Sequence, residues 1–109
     1  MAKDTKFLEL AREISKESTA IQQKMAAVVV KAGKVISIGI NLKEKHAEAR
    51  ALKRHMDYEG CDIYVSRWNG RISRPCPSCQ TKIIKAGIRR AYYIALDGSI
   101  VTETFREAA

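Results

Sequence analysis

The sequence predicts an α/β protein: a three-layer α/β/α-type sandwich around one mixed five-stranded sheet, closing with a C-terminal β-hairpin. Three observations carry that expectation. Helical and strand patterns alternate along the chain in the order α-β-β-α-β-α-β-β. Two pairs of β-branched or aromatic runs are each split by a short turn signal, as in hairpins. The stretch between the third and fourth strands carries its own helical pattern and is long enough for a right-handed parallel crossover. With 109 residues the chain reads as one domain, 1–109, whose core needs no disulfide staples.

Each element has a local reason. DTKFLELAREISKES (4–18) spaces Phe7, Leu10, Ala11 and Ile14 along one helical face, with Asp4 as its N-cap. MAAVVVK (25–31) and VISIGI (35–40) are β-branched runs around the turn AGK (32–34). KHAEARALKRHMDY (45–58) is rich in Ala and straight-chain residues, hence helical, and Gly60 ends it. DIYVSR (62–67) is a third strand and WNGRISRP (68–75) a loop. CPSCQTKIIKAG (76–87) starts a helix with Pro77 in first position and stops it at Gly87. RAYYIAL (90–96) and SIVTETF (99–105) flank Asp97–Gly98 as the closing hairpin.

Composition excludes several classes. No stretch approaches the ~20 apolar residues of a membrane span, and the longest aliphatic run, MAAVVV, is strand-sized. The N-terminus is charged throughout, unlike a secretory signal. Three cysteines, two of them in a C-x-x-C, favour a reducing compartment and metal ligation over disulfides, so the expected location is cytoplasmic. Twenty basic residues against twelve acidic ones give +8. That surplus suits anionic partners, nucleotides or nucleic acid, but the basic residues are scattered as on an ordinary solvated surface.

The C-x-x-C pair needs a partner before it means anything. His46 stands at the predicted start of the helix before the third strand, and Cys76 and Cys79 at the start of the helix after it. Two adjacent helices beginning at one sheet edge bring together an imidazole and two thiolates and leave a fourth position open, the stoichiometry of catalytic zinc. Helix N-termini help keep thiolates ionised. Glu48, two residues past His46, is placed to take a proton from a water activated by the ion and return it to a leaving amine. A structural zinc site or a redox dithiol is the alternative; Cys61 could supply a fourth ligand, although it opens a strand and reads as a buried thiol. His55 reads as solvated surface. Trp68 with Arg67, Arg71 and Arg74 forms a loop that either stacks a base and holds phosphate or is a solubilising tip. Tyr92 and Tyr93 read as packing residues.

The ordered pair His46-Ala47-Glu48 and Pro75-Cys76-Pro77-Ser78-Cys79 matches the H-x-E and P-C-x-x-C signature of zinc nucleobase deaminases. With the β-hairpin, GIN, IYVSR and GIRRAYYI, the chain resembles the cytidine deaminase-like superfamily from Met25 to Phe105, in particular its CMP/dCMP-type domains. The resemblance implies one Zn2+ per chain on His46, Cys76 and Cys79, with Glu48 as the proton carrier. It implies that the Ala47 backbone N–H bonds the base carbonyl, that Asn41 holds the substrate sugar, and that the base packs over Ala26 and Ala27; for Asn41 a loop-start turn residue is the alternative. Arg74 departs from the family, which usually has Ser or Glu before the proline. An antiparallel last strand resembles free cytidine deaminases rather than tRNA adenosine deaminases. The expected activity is hydrolytic deamination of a cytosine-type base in a free nucleoside or nucleotide, by a homo-oligomer. Cytosine in single-stranded DNA or RNA is the second reading, and a non-catalytic zinc module the third.

Overall fold

The structure is a computed structural model that describes residues 3–17, 24–40, 51–52, 58–68, 73–75 and 77–105. Its elements are α1 (Lys3–Ser15), β1 (Met25–Lys31), β2 (Lys34–Ile40), β3 (Asp62–Arg67), α2 (Pro77–Ala86), β4 (Arg90–Ile94) and β5 (Ile100–Glu103). The helix expected over 45–58 lies outside the described residues except for Ala51, which is helical, and its neighbours Leu52 and Tyr58.

One five-stranded sheet runs in the order β2-β1-β3-β4-β5. Only the β3–β4 pair is parallel, joined through α2; the other three pairs are antiparallel. β1 sits between two partners and is buried from Ala26 to Val30. Alternate residues feed opposite faces. Ala27, Val29, Ile63, Val65 and Ala91 pack with Ile83 of α2 and with Ala51, Tyr58 and Ile88. Val28, Val30, Tyr64 and Tyr92 pack against Phe7, Leu8 and Ala11 of α1. Helices on both faces of a mixed sheet give the expected three layers. The register partners Tyr64 and Tyr92 stack at 4.4 Å between centroids, and Phe7 lies across Tyr64 at 5.1 Å.

The turns follow their chemistry. Lys31 pairs with Lys34 around Ala32 (φ 50°) and Gly33 (φ 79°), so both turn residues adopt the left-handed backbone of a type I′ hairpin. Gly87 ends α2 at φ 80°, and a Cβ there would stand 3.1 Å from the Glu59 backbone.

Three expectations shift. The buried face of α1 is Phe7, Leu8, Ala11 and Ser15, while Leu10 is 36% exposed. At 100° per residue Leu10 lies on the flank of that stripe, and Ser15 is admitted because its hydroxyl donates to the Arg12 carbonyl. Asp4 is the second residue of α1 rather than its cap. β4 stops at Ile94 because Ala95 already exchanges turn bonds with Gly98 and Ser99, leaving Leu96 87% exposed.

Candidate metal and substrate site

β3 and β4 are parallel, so their carboxyl ends share one edge of the sheet, where α/β proteins commonly bind ligands. The described members of the candidate site gather there. β1 runs antiparallel to β3, and Ala26 pairs with Ser66 and Ala27 with Val65 near the end of that strand. The two alanines point to opposite faces. Ala27 belongs to the core shared with α2, whereas Ala26 lies on the α1 side, as its partner Ser66 does when it bonds the Leu8 carbonyl. Only Ala27 therefore shares a face with the cysteine helix.

Pro77 opens α2, and its fixed φ and missing N–H suit the first helical position. Cys79 is the third residue of α2, 1% exposed and outside any disulfide. The other two expected ligands, Cys76 and His46, lie outside the described residues, as do Asn41, Ala47, Glu48, Arg71 and His55. Among the described residues no three metal-ligating side chains converge. What is described fits zinc: a soft thiol donor, sequestered in the first turn of a helix, three residues from a second cysteine.

The segment leading to Cys76 is fastened from several sides. β3 and β4 pair only as far as Tyr64 and Tyr92. Beyond that point Ser73 takes over: its hydroxyl donates to the Val65 carbonyl at 2.7 Å and accepts from the Ile94 N–H at 2.9 Å, and its own N–H donates to the Ile94 carbonyl at 3.0 Å. Arg74 donates through Nη2 to Glu103 Oε2 at 2.9 Å and through Nε to Oε1 at 3.4 Å. Tyr93 donates its hydroxyl to Glu103 Oε1 at 2.6 Å. Gln80 reaches back from α2 to the Pro75 carbonyl at 2.8 Å. The Arg74 hydrogen bond holds the Glu103 carboxyl below its ordinary range, and burial pushes the Tyr93 phenol up.

Trp68 sits just past β3. Its N–H bonds the Lys24 carbonyl and its own carbonyl accepts from Arg12 Nε, both at 3.0 Å, while the residue stays 47% exposed. A fixed backbone under an exposed ring can serve as a stacking surface. Arg74, by contrast, already has a carboxylate on its guanidinium. Cys61 is buried and outside any disulfide, and Tyr92 and Tyr93 are packing residues as expected. Ser73, Tyr93, Gln80 and Glu103 carry no mark in the sequence; a serine within a polar loop and a glutamate on an edge strand reveal nothing until the fold joins them. At the other end of the sheet a cavity of about 480 Å³ is lined by Phe7, Asp62, Tyr64, Arg89, Arg90 and Tyr92. No helix among the described residues is long and apolar enough to cross a membrane.

Comparison with known proteins agrees with this architecture. The family model "Cytidine and deoxycytidylate deaminase zinc-binding region" matches residues 1–95. An uncharacterized deaminase in the luxG 3' region of Aliivibrio fischeri is 31% identical over 107 residues, covering 80% of this chain and 69% of that protein. Riboflavin biosynthesis protein RibD of Aquifex aeolicus is also 31% identical, over 86% of this chain, although the chain spans only 28% of its length. The dCMP deaminase from the cyanophage S-TIM5, solved with dCMP and dUMP, has a TM-score of 0.71 at 25% identity over 90% of this chain and 89% of its own. Cytidine deaminase from Burkholderia pseudomallei shares the fold, with a TM-score of 0.73 at 20% identity over 92% of this chain and 91% of its own. The chain belongs to the cytidine and deoxycytidylate deaminase family, with the cytidine deaminase-like fold and Zn2+ as its cofactor.

Proposed function

We propose that the chain is a zinc-dependent hydrolytic deaminase that converts a cytosine-type base to uracil in a free nucleoside or nucleotide. The observation that carries this reading is the likeness to the S-TIM5 dCMP deaminase, which extends over about nine-tenths of both chains and belongs to a protein solved with a free nucleotide pair. His46, Cys76 and Cys79 hold the ion. When bound, zinc supplies Lewis-acid activation of water at neutral pH. Glu48 would carry both protons of the entering water in turn. The first goes to N3 of the ring as the C4–O bond forms. The second passes from the new C4 hydroxyl to the amine as the C4–N bond breaks, leaving a carbonyl and ammonia. The Ala47 N–H donates to the base carbonyl, Asn41 holds the sugar, Ala27 floors the base and Trp68 borders it. The reading includes a cytoplasmic homo-oligomer, which sedimentation at working concentration checks.

A polynucleotide substrate is the second reading, favoured by the charge of +8 and the exposed Trp68. The test is one competition in which zinc-loaded protein meets cytidine, deoxycytidine, CMP, dCMP, an aminopyrimidine ribotide and a cytosine-containing single-stranded oligonucleotide, scored by mass spectrometry. Conversion confined to the free cytosine compounds is the expected result. Conversion confined to the oligonucleotide, falling steeply with salt, replaces it with the second reading. Turnover of the ribotide alone moves the substrate to a RibD-like pyrimidine. No conversion by protein that holds its zinc leaves a non-catalytic zinc module.

A further inference from the structure

We propose that Glu103, acting through Arg74, is a positioning residue for the zinc ligand Cys76. Residues 73–75 belong to no strand or helix, yet they deliver the chain to Cys76. Their placement rests on side chains and loop bonds. Ser73 is fixed between β3 and β4, and the Pro75 carbonyl is fixed by α2. Arg74 stands between those two points and is held by the far edge of the sheet, where Glu103 ends β5, 29 residues on.

The geometry separates this pair from an ordinary surface ion pair. An isolated exposed pair contributes little and holds nothing in place. Here the guanidinium meets both carboxylate oxygens, the Tyr93 hydroxyl occupies Oε1 as well, and the Phe105 ring lies 5.7 Å from the Arg74 guanidinium carbon. Two oxygens, three donors and a ring fix both side chains, and a two-point fork fixes direction as well as distance. The side chains are still 46% and 31% exposed, so the pair contributes little to folding. A lock that contributes little to folding, two residues from a ligand, acts on where that ligand sits. It also commits the Nε–Nη2 edge of Arg74, the edge suited to a two-point grip on an anion, to Glu103, which assigns this arginine to positioning rather than to substrate.

The inference rests on Cys76 and Cys79 being ligands, so the experiment tests that first. Cobalt-substituted wild-type protein should show the charge-transfer absorption of two thiolates; its absence overturns the ligand set and this inference with it. Given that band, Glu103→Gln and Arg74→Lys should stay folded, with the metal-free protein melting only slightly below the wild type. Both should release zinc to a chromophoric chelator about tenfold faster, in the range of outer-shell partners of metal ligands, with a displaced cobalt band. The swapped pair Arg74→Glu/Glu103→Arg should recover part of the loss, which a general loosening would not. Wild-type zinc release and an unchanged cobalt band in Glu103→Gln overturn the proposal. So does a raised KM in Arg74→Lys for nucleotides but not nucleosides with metal release unchanged, which returns Arg74 to the substrate phosphate.

Discussion

Replacing Ser73 by alanine isolates one joint of the site with little change in volume. Ser73 is 1% exposed, and its hydroxyl spans two strands that have stopped pairing with each other. Without it the Ile94 N–H loses its acceptor and the Val65 carbonyl loses a donor. A fully buried donor left bare costs about 1–3 kcal/mol; the Ile94 N–H is part-buried and takes the lower part of that range, and the Val65 bond contributes about 1 more, so the expected loss is ~2–3 kcal/mol. In a domain of this size each kcal/mol moves Tm by about 4–8 °C, so melting should fall by roughly 10–25 °C. Urea unfolding followed by circular dichroism measures the same loss as a lower midpoint at unchanged slope. A loss below about 1 kcal/mol would refute the reasoning, because water would then reach the gap between β3 and β4 and the hydroxyl would not be sealing it.

Other perturbations read other parts of the molecule. Ala32→Asn relieves a left-handed alanine in the β1–β2 turn, where the strain costs about 1 kcal/mol, and should raise the urea midpoint; a lower midpoint would contradict the type I′ turn. Glu103 has a lowered folded pKa, so its contribution is present above the ordinary carboxylate value of about 4.3 and is lost as pH falls through the folded one. Stability titrated from neutral to acid pH should therefore show the wild type losing its margin over Glu103→Gln below that value, and a constant margin would deny the coupling. Glu48→Ala should retain zinc and abolish turnover, whereas Cys76→Ala should lose both; normal turnover by the Glu48 variant would remove it from the proton path.

The sequence makes the sheet legible because its signals are local. β-branched runs, Asp97–Gly98, Ala32–Gly33, and Pro77 with Gly87 are each decided within a few residues. β3 begins and ends where the pattern places it, at Asp62 and Arg67. The face of α1 was less legible, since Leu8 and Leu10 are equally apolar and only the angle to the sheet decides between them. Ala26 and Ala27 look alike in the same way until the pleat sends one to each face. The zinc-ligand pattern is carried by residue types at fixed spacing and needed no fold to be seen, whereas the Arg74–Glu103–Tyr93 cluster joins residues up to 29 apart whose types are common on any surface.

The segments proposed to carry the ligands share a construction: among the described residues, each is tied by hydrogen bonds to backbone carbonyls. On the Cys76 side Ser73 bonds Val65 and Gln80 bonds Pro75. On the His46 side the carbonyl of Ala51, three residues past Glu48, accepts from both the Ser37 hydroxyl on β2 and the Tyr58 hydroxyl. A helical carbonyl has two lone pairs, and two side chains fixed in the core hold this one in place. Ala51, Tyr58, Ala27 and Ile83 of α2 all pack in one core on one face of the sheet. Any motion that separates the two segments must therefore break buried hydrogen bonds and open that core at once, at a cost of several kcal/mol. The proposed site shares one ion between the two segments, and a site so divided needs rigidity between its halves. The sheet face carrying Ala27 supplies it before any metal arrives.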